Sequence, residues 1–79
     1  MAKRRVMLSY TAETIAEPVI YTISQQFNLV ANIRQADLGK DRGWIIVEFE
    51  GKKKKIEEGI AWAISKGVRV DPADERTRL

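Results

Sequence analysis

The chain has 79 residues, of which 44% are apolar, and its 14 basic and 11 acidic side chains give a net charge of +3. This length suits one small domain, and the mild positive charge is compatible with a nucleic-acid partner without requiring one. The chain lacks cysteine and histidine, which excludes disulfides, thiolate metal sites and histidine-based catalysis, so we expect no metal site and no cofactor.

The boundaries of the domain follow from where patterned segments begin and end. We expect a basic segment over residues 1–4, one folded domain over 5–71 and a polar, flexible tail over 72–79. The basic start is not followed by the apolar core of a signal peptide, and no apolar run approaches the length of a membrane span. We therefore expect a cytoplasmic protein without membrane insertion.

The first quarter of the chain predicts a strand and then a helix. Residues 5–10 alternate between apolar and polar side chains, which is the period of a half-buried strand. Residues 14–27 change to helical spacing. The apolar stripe of this helix contains Ile15, Val19, Ile20, Ile23 and Phe27. The helix begins near 14–18, where Thr14 and Glu17 could form a capping box or Pro18 could take the first helical position.

A strand hairpin comes next. Residues 28–38 predict a second strand, and its apolar parity changes near 34–36, which indicates a bulge there. Before that bulge, one face of the strand carries Leu29, Ala31 and Ile33. Residues 39–43 predict the hairpin loop, and 44–50 predict the third strand.

The last third of the chain predicts a helix and a short strand. Residues 52–66 are helical, Gly67 ends the helix, and 68–70 form the fourth strand. The inward stripe of this helix contains Ile56, Ile60, Ala63 and Ile64. The resulting order, βαββαβ, predicts an α+β ferredoxin-like sandwich, in which two helices cover one face of a four-stranded antiparallel sheet.

The uncovered sheet face is where we expect a partner to bind. By strand parity this face carries Met7, Ser9, Val30, Asn32, Arg34, Trp44, Ile46, Glu48 and Arg69. Its apolar members, Trp44, Ile46 and Met7, predict an interface with a second copy or another protein. The small size of the core also favours self-association, through this face or an edge strand.

Residues 42–49 are similar to the RNP1 strand of an RNA-recognition module, which stacks bases on aromatic side chains. Trp44 suits such stacking, but Ile46 and Met7 occupy the other two stacking positions, and neither is aromatic. Glu48 and Glu50 on the same face would repel phosphate. Nucleic acid is therefore disfavoured, and an association face is the better interpretation.

Four consecutive lysines, Lys52–Lys55, open the second helix. Successive helical residues turn by about 100°, so these side chains encircle the axis, at the helix end where the dipole disfavours cations. We expect Glu57 and Glu58 to offset this by pairing with Lys53 and Lys54. A solvated helix start is favoured over a patch for an acidic partner.

Catalytic residues are not expected. Glu48 and Glu50 share a face and could form a carboxylate pair, but such pairs are more often outward strand surface. The sequence contains no glycine-rich phosphate loop and no metal-ligand spacing. We therefore expect a protein that is not an enzyme.

Short sequence landmarks in a fixed order extend over most of the chain. They are Val6-x-Leu8-x-Tyr10, residues 17–20, 27–33, 43–51 and 60–62, and Gly67-Val68-x-Val70. Together they make the segment from Val6 to Val70 resemble the NIL domain, a small ferredoxin-like, ACT-related domain. Such domains occur at the C-terminus of the ATPase subunit of bacterial methionine importers, fused to iron–sulfur domains, and as free-standing proteins.

The resemblance implies a dimeric amino-acid sensor, because in the importer such domains pair through their sheets, bind methionine near the interface and shut down transport. Asn32 corresponds to the family's asparagine and is implied to contact the ligand, next to Val30 and near Trp44 and Ile46. The family usually has leucine where this chain has Arg34, which could hold a ligand carboxylate or spoil an apolar pocket.

Three functions remain open at this stage. The leading hypothesis is a non-enzymatic regulatory, ligand-binding module that senses methionine or a related amino acid at a homodimer interface. The second is a protein-interaction adaptor without a small ligand, and the third, less favoured, is an RNA-binding module.

Overall fold

The structure, a computed structural model, describes residues 1–11 and 19–74. Six elements follow one another along the chain: β1 (Ala2–Thr11), α1 (Val19–Phe27), β2 (Val30–Leu38), β3 (Arg42–Gly51), α2 (Lys53–Ser65) and β4 (Arg69–Pro72). This is the predicted βαββαβ order. The predicted start of the first helix near 14–18 and residues 75–79 of the predicted tail lie outside the described residues.

All four strands form one antiparallel sheet in the order β2-β3-β1-β4. The long central strands β1 and β3 pair along their whole length, from Ala2 opposite Gly51 to Thr11 opposite Arg42. β1 therefore begins three residues before the predicted start at Arg5, and the basic residues Lys3 and Arg4 belong to the sheet. The predicted α+β ferredoxin-like fold is confirmed.

The core lies between the sheet and both helices. Alternate residues of β1 and β3 face the helices because strand side chains alternate between the two faces. The buried side chains at this interface include Val6, Leu8, Val47 and Phe49 from the sheet and Val19, Ile23, Ile56 and Ala63 from the helices. Since both helices pack on the same face, the opposite face is left without a helix over it.

Helix α2 turns its smallest residues toward α1. A Cβ atom added at Gly59 would lie 3.1 Å from Cγ2 of Ile23, so glycine here allows the two helices to approach closely. Ile56 and Ala63 are buried beside Gly59, and Ile60 packs against the core. The prediction that Ile64 faces inward is wrong, because the buried stripe is centred on the side of Ile56, Gly59 and Ala63, and Ile64 is 56% exposed.

The end of α2 is built as predicted. Gly67 adopts a φ of 90°, a conformation that glycine takes without a side-chain clash. Its N–H donates to the carbonyl of Ile64, and the N–H of Val68 donates to that of Ala63. These two bonds form a Schellman motif, which satisfies carbonyls that a helix end leaves free and turns the chain into β4.

Strand β2 is an edge strand with an irregularity where it was expected. The register shifts between Ile33, opposite Val47, and Gln35, opposite Ile46, so Arg34 is the extra residue of a bulge. Ile33 lies on the helix-facing side, as predicted, but it is not covered. Its 58% exposure reflects its place at the outer edge of the sheet.

Candidate functional site

The face without helices is organised in rows, because each residue of β3 from Gly43 to Glu50 has one neighbour on β1 and one on β2. Four rows cross this open sheet face. The Trp44 row is Ser9–Trp44–Asp37, the Ile46 row is Met7–Ile46–Gln35, the Glu48 row is Arg5–Glu48–Asn32, and the Glu50 row is Lys3–Glu50–Val30. Each row has a distinct chemistry.

The Ile46 row forms a small apolar centre. Ile46 is only 3% exposed although no helix covers this face, and it is absent from the main core. Met7 and Gln35 flank it on the neighbouring strands. The chain therefore buries Ile46 by itself, which leaves little of this side chain for the interface that was predicted to include it. Met7 and Trp44 are partly exposed and stay available for contact.

The Glu48 row carries a three-residue ion network. Glu48 accepts hydrogen bonds from Arg5 at its Oε2 and from Arg34 at its Oε1, each at 3.1 Å. The bond from Arg34 is the main cause, followed by that from Arg5, of a pKa of Glu48 below its ordinary value. A carboxylate stays ionised here because two guanidinium groups hold it from opposite sides.

The bulge on β2 explains how Arg34 reaches this network. An extra residue in the strand lets the side chain of Arg34 turn to the open sheet face, although Ile33 and Gln35 already occupy regular ladder positions. Arg34 is 49% exposed at its side chain, whereas those of Arg5 and Glu48 are 18% and 16% exposed. Arg34 is therefore the residue of this ion network that a ligand in solvent can contact.

The three residues predicted to bind a ligand lie on one short stretch of β2. Asn32 is exposed directly opposite Glu48, and Arg34 lies beside it. Val30, two residues earlier on the same face, is 53% exposed opposite Glu50. The prediction that Asn32 lies near Trp44 is wrong. Asn32 pairs with Glu48, and Trp44 is four residues, about 13 Å, farther along β3.

A surface cleft of about 400 Å³ lies at the other end of the sheet, around the hairpin that joins β2 and β3. Its lining is Ser9, Tyr10, Asp37, Gly39, Arg42, Gly43 and Trp44. Burial raises the pKa of Tyr10 to about 12, because a buried phenolate loses its hydration. The cleft thus contains Trp44 but none of the three predicted ligand residues.

The pairing predicted for the lysine run is wrong. Glu57 pairs with Arg4 at 3.8 Å, and Glu58 pairs with Lys55 at 3.4 Å. The reason is that β1 starts early, which places Arg4 beside the first turns of α2. Lys53 and Lys54 lie within the described residues and have no carboxylate within 4.0 Å.

Strand parity predicted only some of the residues that lie on the open sheet face. Arg5, the second partner of Glu48, was not among the residues expected there, although it shares the parity of Met7. Asp71 was also missed, and it pairs with Arg69 at 3.0 Å on the β4 side of this face. Extending the alternation one step before Met7 would have found Arg5.

The described residues contain neither a metal-binding cluster nor a membrane-spanning helix. Among residues 1–11 and 19–74, no group of three or more acidic, histidine or cysteine side chains is placed to hold a metal ion. No helix in the same ranges is long and apolar enough to cross a membrane.

Comparison with known proteins identifies relatives of the whole domain. The family model of the NIL domain matches residues 4–72. No curated protein matches the chain. Among solved structures, the C-terminal domain of an ABC transporter / ATP-binding protein from Enterococcus faecalis aligns with a TM-score of 0.78 and 18% identity, over 92% of this chain and 86% of that chain. At this identity the likeness shows a shared fold.

Proposed function

The chain belongs to the NIL domain family, and from this premise we propose that it is a non-enzymatic regulatory module that binds a small amino acid, methionine or a close relative, on its open sheet face. The observation that carries the proposal is the cluster of Asn32, Arg34 and Glu48. Asn32 and Arg34 present an amide and a cation on the exposed strand β2, and Glu48 on β3 holds Arg34 in place.

This cluster suits the main-chain groups of an amino acid. One terminal nitrogen of Arg34 donates a hydrogen bond to Glu48. The guanidinium group has further N–H donors that can bind a ligand carboxylate. Both oxygens of Glu48 already accept from arginines, so Glu48 orients Arg34 and the ammonium group of the ligand is left to the oxygen of Asn32. The amide of Asn32 both donates and accepts, so it can bind either end of a zwitterion.

The neighbouring side chain of Val30 supplies the apolar contact that an aliphatic or thioether side chain needs. It is 53% exposed and lies two residues from Asn32 on the same face of β2. Ligand sites in proteins are concave and bury most of the ligand. A sheet surface becomes concave when a second surface covers it, so we propose that a second copy of the chain completes the site.

Isothermal titration with methionine tests this function. We expect saturable heat with the natural chain and none with Asn32→Ala. The matched control is Gln25→Ala, which removes an exposed amide from α1, away from the sheet face. Sedimentation velocity of the same samples should give a dimer that methionine stabilises. A flat titration with a well-folded natural chain would contradict amino-acid sensing, as would equal losses in both variants.

A second candidate, the protein-interaction adaptor, is supported by the exposed apolar side chains of β2. Val30, Ile33 and Leu38 are 53%, 58% and 57% exposed on an edge strand, and no strand among the described residues pairs with its outer side. Such edges can accept a strand from a partner protein. A flat methionine titration together with a monomeric folded chain would favour the adaptor over the amino-acid sensor.

A further inference from the structure

One end of the sheet concentrates basic side chains. It contains six basic side chains, which we call the lysine pole: Lys3, Arg4, Lys52, Lys53, Lys54 and Lys55. Four carboxylates lie at the same end: Glu50, Glu57, Glu58 and Asp74, the last because the N–H of Ala73 donates to the carbonyl of Arg5. The described residues of this end therefore carry a net charge of +2. Within residues 1–11 and 19–74, the other six basic and four acidic side chains are spread over the rest of the surface.

The fold brings two separate sequence segments together to build this pole. The pairing of Ala2 with Gly51 places the start of β1 next to the end of β3, one residue before the lysine run. The ion pair between Arg4 and Glu57 holds the same part of β1 against α2. Lys3 is opposite Glu50 and therefore lies on the other face of the sheet from Arg4. The lysine pole thus surrounds the sheet end.

Most of the lysine pole is not neutralised by neighbouring side chains. Within the described residues, Lys3, Lys52, Lys53 and Lys54 have no carboxylate within 4.0 Å. The two ion pairs at this end are solvent-exposed, at 3.8 Å for Arg4 and 3.4 Å for Lys55. Exposed ion pairs of this kind have a small interaction energy, so the positive electrostatic potential of the lysine pole extends into solvent.

We propose that the lysine pole docks this protein onto an anionic phospholipid bilayer. Five of its six cations are lysines, which act as hydrated point charges and suit diffuse attraction to many headgroups. The pole has no aromatic side chain for the base stacking that single-stranded nucleic acid uses. Because six cations are concentrated here, four of them without a carboxylate within 4.0 Å, a negatively charged plane attracts this end more strongly than the rest of the described surface.

Docking by the lysine pole is compatible with use of the open sheet face. Trp44 lies opposite Ser9, near the hairpin end of the sheet, and Lys3 lies opposite Glu50, near the other end. The long dimension of the chain is 35 Å, several times the screening length of about 8 Å at physiological salt. The two ends therefore act independently, and bilayer docking does not rest on amino-acid binding.

Vesicle flotation of the full chain tests the proposal. Vesicles of phosphatidylcholine mixed with phosphatidylglycerol are compared with pure phosphatidylcholine, at low and high salt. Each lysine near an anionic surface contributes about fivefold in partitioning, so K53Q/K54Q should lower binding to the mixed vesicles by about 25-fold. The matched control K40Q/R42Q removes the same charge from the hairpin end and should change binding by less than about twofold.

Three outcomes would overturn the proposal. The first is equal partitioning of the natural chain to mixed and pure vesicles at low salt. The second is an equal loss in the two double variants, which would mean that total charge matters and the lysine pole does not. The third is salt-sensitive binding of the natural chain to a DNA duplex without binding to the mixed vesicles. That result would identify the lysine pole as a nucleic-acid site. Circular dichroism of both variants confirms that they are folded.

Discussion

Ile46 is buried within a single copy of the chain, so we expect it to stabilise the fold and not a dimer interface. Ile46→Ala removes three carbon atoms from a side chain that is 3% exposed within one copy. At about 0.8 kcal/mol for each buried carbon, the transfer term is about 2.4 kcal/mol, and the cavity left behind adds to it. The flexible side chain of Met7, directly across from Ile46, can fill part of that space. We therefore expect a loss of about 2–4 kcal/mol in the free energy of unfolding.

Urea unfolding at several protein concentrations measures this loss. Ile33→Ala on the adjacent strand is the matched control, because it makes the same change in a side chain that is 58% exposed, and it should cost less than about 1 kcal/mol. The expected loss for Ile46→Ala is the same at every concentration. A loss of less than about 1 kcal/mol, or one that appears only where the chain dimerises, would refute the view that one chain buries Ile46.

Three further predictions concern the ion network, the buried phenol and the helix contact. The pKa of Glu48 is lowered in the folded chain. Its contribution to stability is therefore present above the unfolded pKa near 4.5 and is lost as the pH falls through the folded pKa. In Glu48→Gln, the melting temperature should fall less steeply on the acid side of a pH profile. In Tyr21→Phe, ultraviolet titration should show Tyr10 ionising near pH 12, and ionisation near 10 in the folded chain would contradict its burial. Gly59→Val should cost about 1–3 kcal/mol by chemical unfolding, whereas Ala61→Val on the exposed side of α2 should cost under about 1 kcal/mol; equal losses would contradict the close helix contact.

Local patterns were sufficient for the order of the elements. Alternation identified the strands, helical spacing identified both helices, and the change of parity placed a bulge near 34–36, where the structure has it at Arg34. Gly67 marked the end of α2 because few other residues accept a φ of 90° there. Each of these features is determined by a few neighbouring residues, so it can be read without knowing the tertiary contacts.

Features that depend on distant contacts were harder to predict. Ile64 is apolar and close to helical spacing, but the tight contact with α1 is made at Gly59, which an apolar pattern does not mark. Arg4 pairs with Glu57 because β1 extends to Ala2, and this extension comes from pairing with β3 rather than from an apolar alternation. The separation of Asn32 from Trp44 follows from the register of β2 on β3, which was not known in advance.

The proposed ligand site can be tested most directly by titrating methionine into the isotopically labelled chain and following the backbone amide signals by NMR. We expect the largest shifts on β2 and the middle of β3, at Asn32, Arg34 and Glu48, and we expect them to saturate. Shifts confined to the hairpin cleft around Tyr10 and Trp44, or no shifts at saturating methionine, would contradict the assignment of the site.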